Sequence, residues 1–237
     1  MIKFAYIIGM VLLVILLLLA LPYLWQLIGI IFVPKRSTLW QQLEMYQWTA
    51  IGFGLFAFAR RFIKNNITFA ETFSHEFTHT FFAIIFNRRV HSFHAEGGSG
   101  VVYTSGINKK SLVPIALAPY CFPIFTYFLL SVRWLMNFHG VWVYDILIGI
   151  TLCFHFYCFK TQIGNHQTDI NQYPLTFSYT YIVTAWIVNL CIILPSFFPN
   201  MNGIGHTEPL YHYGVWSSIY RFLGECWNNL VSILHLL

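Results

Sequence analysis

The chain has 237 residues, of which 57% are hydrophobic, 19% aromatic and only 9% charged. Soluble domains carry about 25% charged residues, so this composition cannot furnish a water-facing surface around so much apolar material. An ordinary soluble enzyme, a secreted disulfide scaffold and a disordered regulator are all poor fits. The net charge of +5 comes from short basic pairs (Lys35-Arg36, Arg60-Arg61, Arg88-Arg89, Lys109-Lys110) beside apolar runs. Pairs of that kind mark membrane flanks and argue against nucleic-acid binding.

In chain order, Phe4–Val33 has no charged residue. It runs well past the 7–15 apolar residues of a signal peptide, which predicts a retained membrane anchor. Leu43–Ile63 has Glu44 at one end, Arg60 and Arg61 at the other, and Gly52 and Gly54 between, so it either spans or lies in the interface. Ile67–Phe86 is apolar enough to enter a membrane. Leu112–Met136 is punctuated by Pro114, Pro119 and Pro123, which predicts a kinked or broken helix. Val141–Phe159 and Phe177–Phe198 are the last clear spans, and Val215–Leu237 has the pattern of a peripheral amphipathic helix. The fold expected is an all-α polytopic membrane protein with five to six transmembrane helices in one domain, residues 1–237. Residues 1–65 form an N-terminal anchor and second hydrophobic segment, 66–198 a core and 199–237 a peripheral segment. Basic pairs on almost every loop leave the orientation open. Cys121, Cys153, Cys158, Cys191 and Cys226 are odd in number and show no CxxC pattern, so they read as packed thiols.

The segment Ile67–Phe86, ITFAETFSHEFTHTFFAIIF, holds Glu71, His75, Glu76 and His79. An ionisable side chain at the centre of a lipid-facing helix costs about 2.5–3.5 kcal/mol on insertion scales. Several together must face the protein interior and find a partner, and a divalent metal is such a partner. His75-Glu76-Phe77-Thr78-His79 places two imidazoles one helical turn apart on one face, within reach of a single ion. Glu76, rotated by about 100°, can hold a water on that ion without being a ligand. Zinc lowers the pKa of such a water to about 7, and a carboxylate can then take its proton. With ten histidines and six glutamates, the pattern arises by chance in about one such chain in a hundred. Glu71, one turn before His75, is either an acceptor for the second ring nitrogen of His75 or a helix-end carboxylate.

A third protein ligand is required. Phe82 and Ile85 stand where a metzincin would have glycine and histidine. Glu208 and Glu225 lie late, in a loop and a tail, and Glu96 sits in a glycine-rich turn. The best candidate is Asp169, in the polar stretch Gly164-Asn165-His166-Gln167-Thr168-Asp169 between two spans. Asp145, inside an apolar span, and His166 remain alternatives. Asn165 is either a hydrogen-bond donor to substrate or a developing oxyanion, or a turn residue.

After the His-Glu-x-x-His helix, residues 91–106 alternate small, polar and β-branched side chains. This predicts a short hairpin or re-entrant loop, whose strand edge could pair with an extended substrate or simply face solvent. Gly97 and Gly98 in its turn, with Asn165, are the candidate substrate contacts.

A His-Glu-x-x-His in a transmembrane helix, a glycine-rich segment after it and a later Asp between spans resemble the site-2 protease family of intramembrane zinc metalloproteases. The resemblance covers about residues 67–198 and is nearest to the small bacterial branch of bare membrane cores. It implies that His75, His79 and Asp169 bind zinc, that Glu76 is the general base, and that the chain is a multi-pass protein of a bacterial cytoplasmic membrane. It also implies membrane-spanning protein substrates. The family's second motif has glycine directly after the Asp, where this chain has Ile170, and its proline comes only at Pro174. The expected function is zinc-dependent intramembrane endopeptidase. Alternatives are a membrane zinc hydrolase of a non-protein substrate and a metal-binding transporter or scaffold without catalysis. No internal repeat suggests the paired sites of a transporter.

Overall fold

The structure, a computed structural model, describes residues 2–32, 39–104, 112–135, 142–164, 167–197 and 214–235. Its elements in order are α1 (Ile2–Phe32), α2 (Leu39–Ala59), α3 (Lys64–Ile85), β1 (Val90–Glu96), β2 (Ser99–Thr104), α4 (Val113–Leu117), α5 (Ile124–Leu135), α6 (Trp142–Gln162), α7 (Thr168–Asn171), α8 (Leu175–Phe197) and α9 (Gly214–Leu234). A 3₁₀ turn, Ala118–Tyr120, joins α4 to the break before α5. The molecule is thus mostly helical, with one two-stranded sheet among the described residues.

Three helices are long and apolar enough to cross a membrane: Phe4–Gly29, Trp142–Gln162 and Leu175–Ser196. The pair Val113–Tyr120 and Ile124–Arg133, bent by 86°, makes a fourth if it is one broken span. The further spans expected from sequence fall short of that test. In α2 the described apolar stretch is only Gln47–Ala59. Helix α3 has the length, but Glu71, His75, Glu76 and His79 lower its apolar character. Helix α1 has no charged residue after Lys3, yet it is no isolated anchor. Its Ala20, Tyr23 and Leu27 are fully buried in a core with Cys191 and Ile193 of α8 and Phe222 of α9. The tail helix α9 docks with Ser218, Phe222 and Cys226 inward, spaced at one turn, while Tyr220, Leu223 and Trp227 stay exposed. All five cysteines are free and buried, as packed thiols should be.

The prolines act as expected. Proline lacks an N–H and clashes with the preceding turn, so Pro119 and Pro123 end α4 and delay α5. The carbonyls orphaned by the break are capped by α8: the Trp186 indole donates to Tyr120 O at 2.8 Å, and the Asn189 amide to Cys121 O at 3.1 Å. Such repair is what makes broken backbone tolerable in an apolar bundle.

Helices α2 and α6 lie side by side at a distance only glycine permits. A Cβ on Gly52 would fall 2.0 Å from the Ile146 carbonyl oxygen, and one on Gly149 would fall 2.1 Å from that of Thr49. Small residues of this kind let helix backbones approach in membranes. Across the α5–α6 contact, Arg133 Nη1 donates to Asp145 Oδ1 at 2.8 Å, and both side chains are largely buried.

The glycine contact yields a paired test. Gly52→Ala should destabilise the protein by about 1–3 kcal/mol or more through overpacking. Gly54→Ala, where nothing lies within 4 Å, should be neutral or mildly stabilising. Thermal unfolding in detergent reads both, and equal melting temperatures for the two variants would refute the close-packing account.

Candidate metal centre

Helix α3 presents His75 and His79 one turn apart, both turned inward against the α4–3₁₀ segment and α7. Their Nε2 atoms lie 3.1 Å from each other. Asp169, in the first turn of α7, brings Oδ2 to 3.6 Å from His75 Nε2 and 3.3 Å from His79 Nε2. Two ligands held about 2.0–2.1 Å from a tetrahedral zinc are about 3.3 Å apart, and the three observed separations straddle that value. His75, His79 and Asp169 therefore form a group able to hold a metal ion.

The outer nitrogens fix the tautomers. His79 Nδ1 donates to the Ile115 carbonyl at 2.7 Å, because a carbonyl can only accept. That carbonyl is free because its helical partner four residues on is Pro119, which has no N–H. His75 Nδ1 lies 3.1 Å from Gln162 Oε1, while Gln162 Nε2 donates to Glu71 O at 3.3 Å. The amide is thereby oriented with its oxygen toward His75, and His75 Nδ1 is the donor. Both neutral imidazoles thus turn an Nε2 lone pair toward the Asp169 carboxylate. Hydrogen-bonding the outer nitrogen is how proteins fix a metal-binding histidine.

Asp169 is held firmly. Gln172 Nε2 donates to its Oδ1 at 3.2 Å. The next residue, Ile170, is fully buried in a cluster with Ala116, Leu117, Tyr120 and Trp186, and Ser178 Oγ donates to its carbonyl at 2.9 Å. Burial alone would raise the Asp169 carboxyl; when the two imidazoles are protonated, their hydrogen bonds and charge outweigh burial and hold the group well below the usual carboxylate range.

Glu76 is buried beside the triad and lies under the hairpin. Strands β1 and β2 pair antiparallel with Glu96 opposite Ser99, so Gly97 and Gly98 form the two-residue turn. Gly98 has φ +94°, and its N–H donates to Thr72 Oγ1 at 3.2 Å, fastening the turn to α3 one helical turn before Glu76. Gly100 lies against the Glu76 side chain: a Cβ there would meet Glu76 Cγ at 2.5 Å and Oε1 at 2.7 Å. Phe93 of β1 packs edge-on against Phe73 of α3. On another face of α3, Phe77 and Phe81 line an apolar cavity of about 390 Å³ shared with Phe122, Phe125 and Phe128.

The structure thus brings His75, Glu76, His79 and Asp169 together. Asp145 is engaged by Arg133 at the opposite end of α6, about 25 Å of helix from Gln162, which removes it as a ligand. Glu96 is exposed and pairs with His94 at 3.2 Å. Glu71 is not the outer partner of His75; its Oε1 accepts from Thr161 Oγ1 at 3.0 Å, and Gln162 takes the place expected of it. Asn165, His166 and Glu208 lie outside the described residues. Gly97 and Gly98 sit in the exposed turn rather than against the triad. Sequence reasoning missed Gln162, Gly100 and Tyr120. Only the Ile115 carbonyl left a readable trace, the proline four residues later.

Comparison with protein-family models, curated proteins and solved structures finds no match to this chain.

Two variants probe the centre. Gln162→Leu should weaken divalent-metal affinity about 10–100-fold, the usual effect of losing a ligand's hydrogen-bond partner. Asp169→Ala should abolish stoichiometric binding. Metal content after dialysis against a graded chelator measures both, and unchanged affinity in both would rule the triad out as the binding site.

Proposed function

We propose that this chain is a multi-pass, zinc-dependent intramembrane endopeptidase akin to the site-2 proteases, cutting membrane-spanning protein substrates. One observation carries the reading: two imidazole lone pairs and a carboxylate oxygen converge within 3.1–3.6 Å, with the free carboxylate of Glu76 buried alongside, in a bundle of apolar helices. In this reading α2 and α3 also lie at membrane depth, which gives five to six membrane-embedded helices.

His75, His79 and Asp169 would hold the zinc. When bound, zinc supplies Lewis acidity toward water and toward a peptide carbonyl. Glu76 serves as the base that takes a proton from the attacking water and then returns it to the leaving amine nitrogen, the ordinary role of a carboxylate beside such a centre. The hairpin confines that carboxylate: Gly100 leaves room for it, and the Gly98–Thr72 bond keeps the strands on α3. Each strand has one edge outside the two-stranded sheet, a template for an unwound substrate segment. The Phe77–Phe81 cavity suits an apolar substrate side chain, as a membrane-spanning sequence would offer.

Glu76→Gln keeps the shape and removes the base. Zinc content should stay near one per chain while cleavage of a reconstituted single-span substrate falls about 10²–10⁴-fold. Full cleavage by that variant would sink the mechanism. Gly100→Ala should leave zinc in place and still lower turnover, because its methyl group displaces the Glu76 side chain; loss of zinc instead would show that the hairpin supports the ligands rather than the base.

A further inference from the structure

Helices α2 and α6 run parallel, because their contacts advance together along both. Trp48 meets Trp142, Gly52 lies against Ile146, Phe56 packs edge-on to Phe154, and the Arg60 guanidinium sits 4.9 Å over the Tyr157 ring. The pair is bounded by tryptophans at one end and by cations at the other. Along α6, Trp142 to Lys160 covers about 27 Å, close to the thickness of a bilayer's hydrocarbon core, roughly 30 Å. Tryptophan is enriched where membrane meets water, so Trp48 and Trp142 mark one surface. Arg60, Arg61 and Lys160 then lie at the other, level with lipid phosphates.

All three cations are exposed. Among the described residues no carboxylate forms an ion pair with any of them. The acids at this end of the bundle have other partners: Glu71 accepts from Thr161, beside Lys160, at 3.0 Å, and Asp169 belongs to the triad. Tyr157 and Lys160 share one face of α6, so the guanidinium held over that tyrosine and the lysine stand on the same side of the helix. Phe58 and Phe62 flank the arginine pair in sequence and are both exposed, with ring centroids 5.1 Å apart. Cations without a counter-ion beside uncovered apolar rings match one kind of occupant. The phosphate of an anionic lipid meets the charges, with the guanidinium fork suited to two of its oxygens, and the acyl chains cover the rings. A soluble anion would satisfy the charges alone.

We propose that the ends of α2 and α6 form a binding site for an anionic phospholipid, with Arg60, Arg61 and Lys160 around its phosphate and Phe58 and Phe62 against its chains. The site stands whether or not the chain is a hydrolase. Lipid held there fixes the end of α6 that carries Gln162, and with it the metal centre, at an anionic membrane surface.

The test uses the purified full chain in mixed detergent micelles containing phosphatidylcholine and phosphatidylglycerol, with native mass spectrometry counting the lipids retained. The unaltered chain should prefer phosphatidylglycerol about tenfold or more, and the preference should fade as salt rises. Arg60→Gln, Arg61→Gln and Lys160→Gln should each weaken phosphatidylglycerol retention about fivefold, and the triple variant should lose the preference. Metal content and melting temperature in phosphatidylcholine micelles should not change; the single substitutions keep the test decisive should the triple variant unfold. Absence of the preference in the unaltered chain overturns the site. So does an equal loss in a charge-matched variant carrying Lys35→Gln, Arg36→Gln and Lys109→Gln, because net charge alone would then explain retention. Inorganic phosphate binding as tightly as phosphatidylglycerol overturns the lipid as occupant.

Discussion

Two imidazole lone pairs and a carboxylate oxygen facing one another at 3.1–3.6 Å repel unless positive charge sits among them. The surroundings sharpen the problem. They are apolar helix faces, where charge is screened far less than in water. A proton can join two of the three atoms, whereas a divalent ion can join all three. Much of the local architecture serves to hold this unfavourable arrangement ready. Gln162 and the Ile115 carbonyl commit the outer nitrogens, and Ile170 anchors Asp169 through the hydrophobic core beside it.

That arrangement draws on three separate parts of the chain, and each is supplied by a departure from regular secondary structure. Proline at 119 removes an N–H and so releases the carbonyl that orients His79. The 3₁₀ turn that follows carries Tyr120 to the edge of His75. The four-residue helix α7 turns Asp169 back toward α3 between two long apolar helices. Regular helices alone would bury their polar atoms within themselves. Interrupted ones leave carbonyls and side chains to be shared across the bundle, and those are the groups that build the centre.

The same logic separates the strongly apolar helices from α3. Helices α1, α6 and α8 can cross a bilayer by length and composition, while α3 carries too many ionisable groups to do so alone. It is shielded by the hairpin, by the α4–3₁₀ segment and by the end of α6 instead. The close approach of α2 to α6 through Gly52 and Gly149 belongs to the same scaffold, because α6 delivers Gln162 to His75.

Local pattern was enough to find the His-Glu-x-x-His face, the proline-broken helix, the hairpin with its Gly97–Gly98 turn, the unpaired cysteines and the polar loop holding Asp169. Helix period, proline chemistry and turn preference all act within a few residues, so the sequence alone determined these features. Tertiary structure decided which acid completes the triad, since Asp145 and Asp169 differ by distance in space and not by local pattern. It also decided that Gln162 rather than Glu71 holds His75, that Gly100 accommodates Glu76, and that Tyr120 lies against His75 in the centre. Those outcomes depend on contacts between residues tens of positions apart, such as the 87 between His75 and Gln162. No short-range pattern encodes them; packing of the helices does.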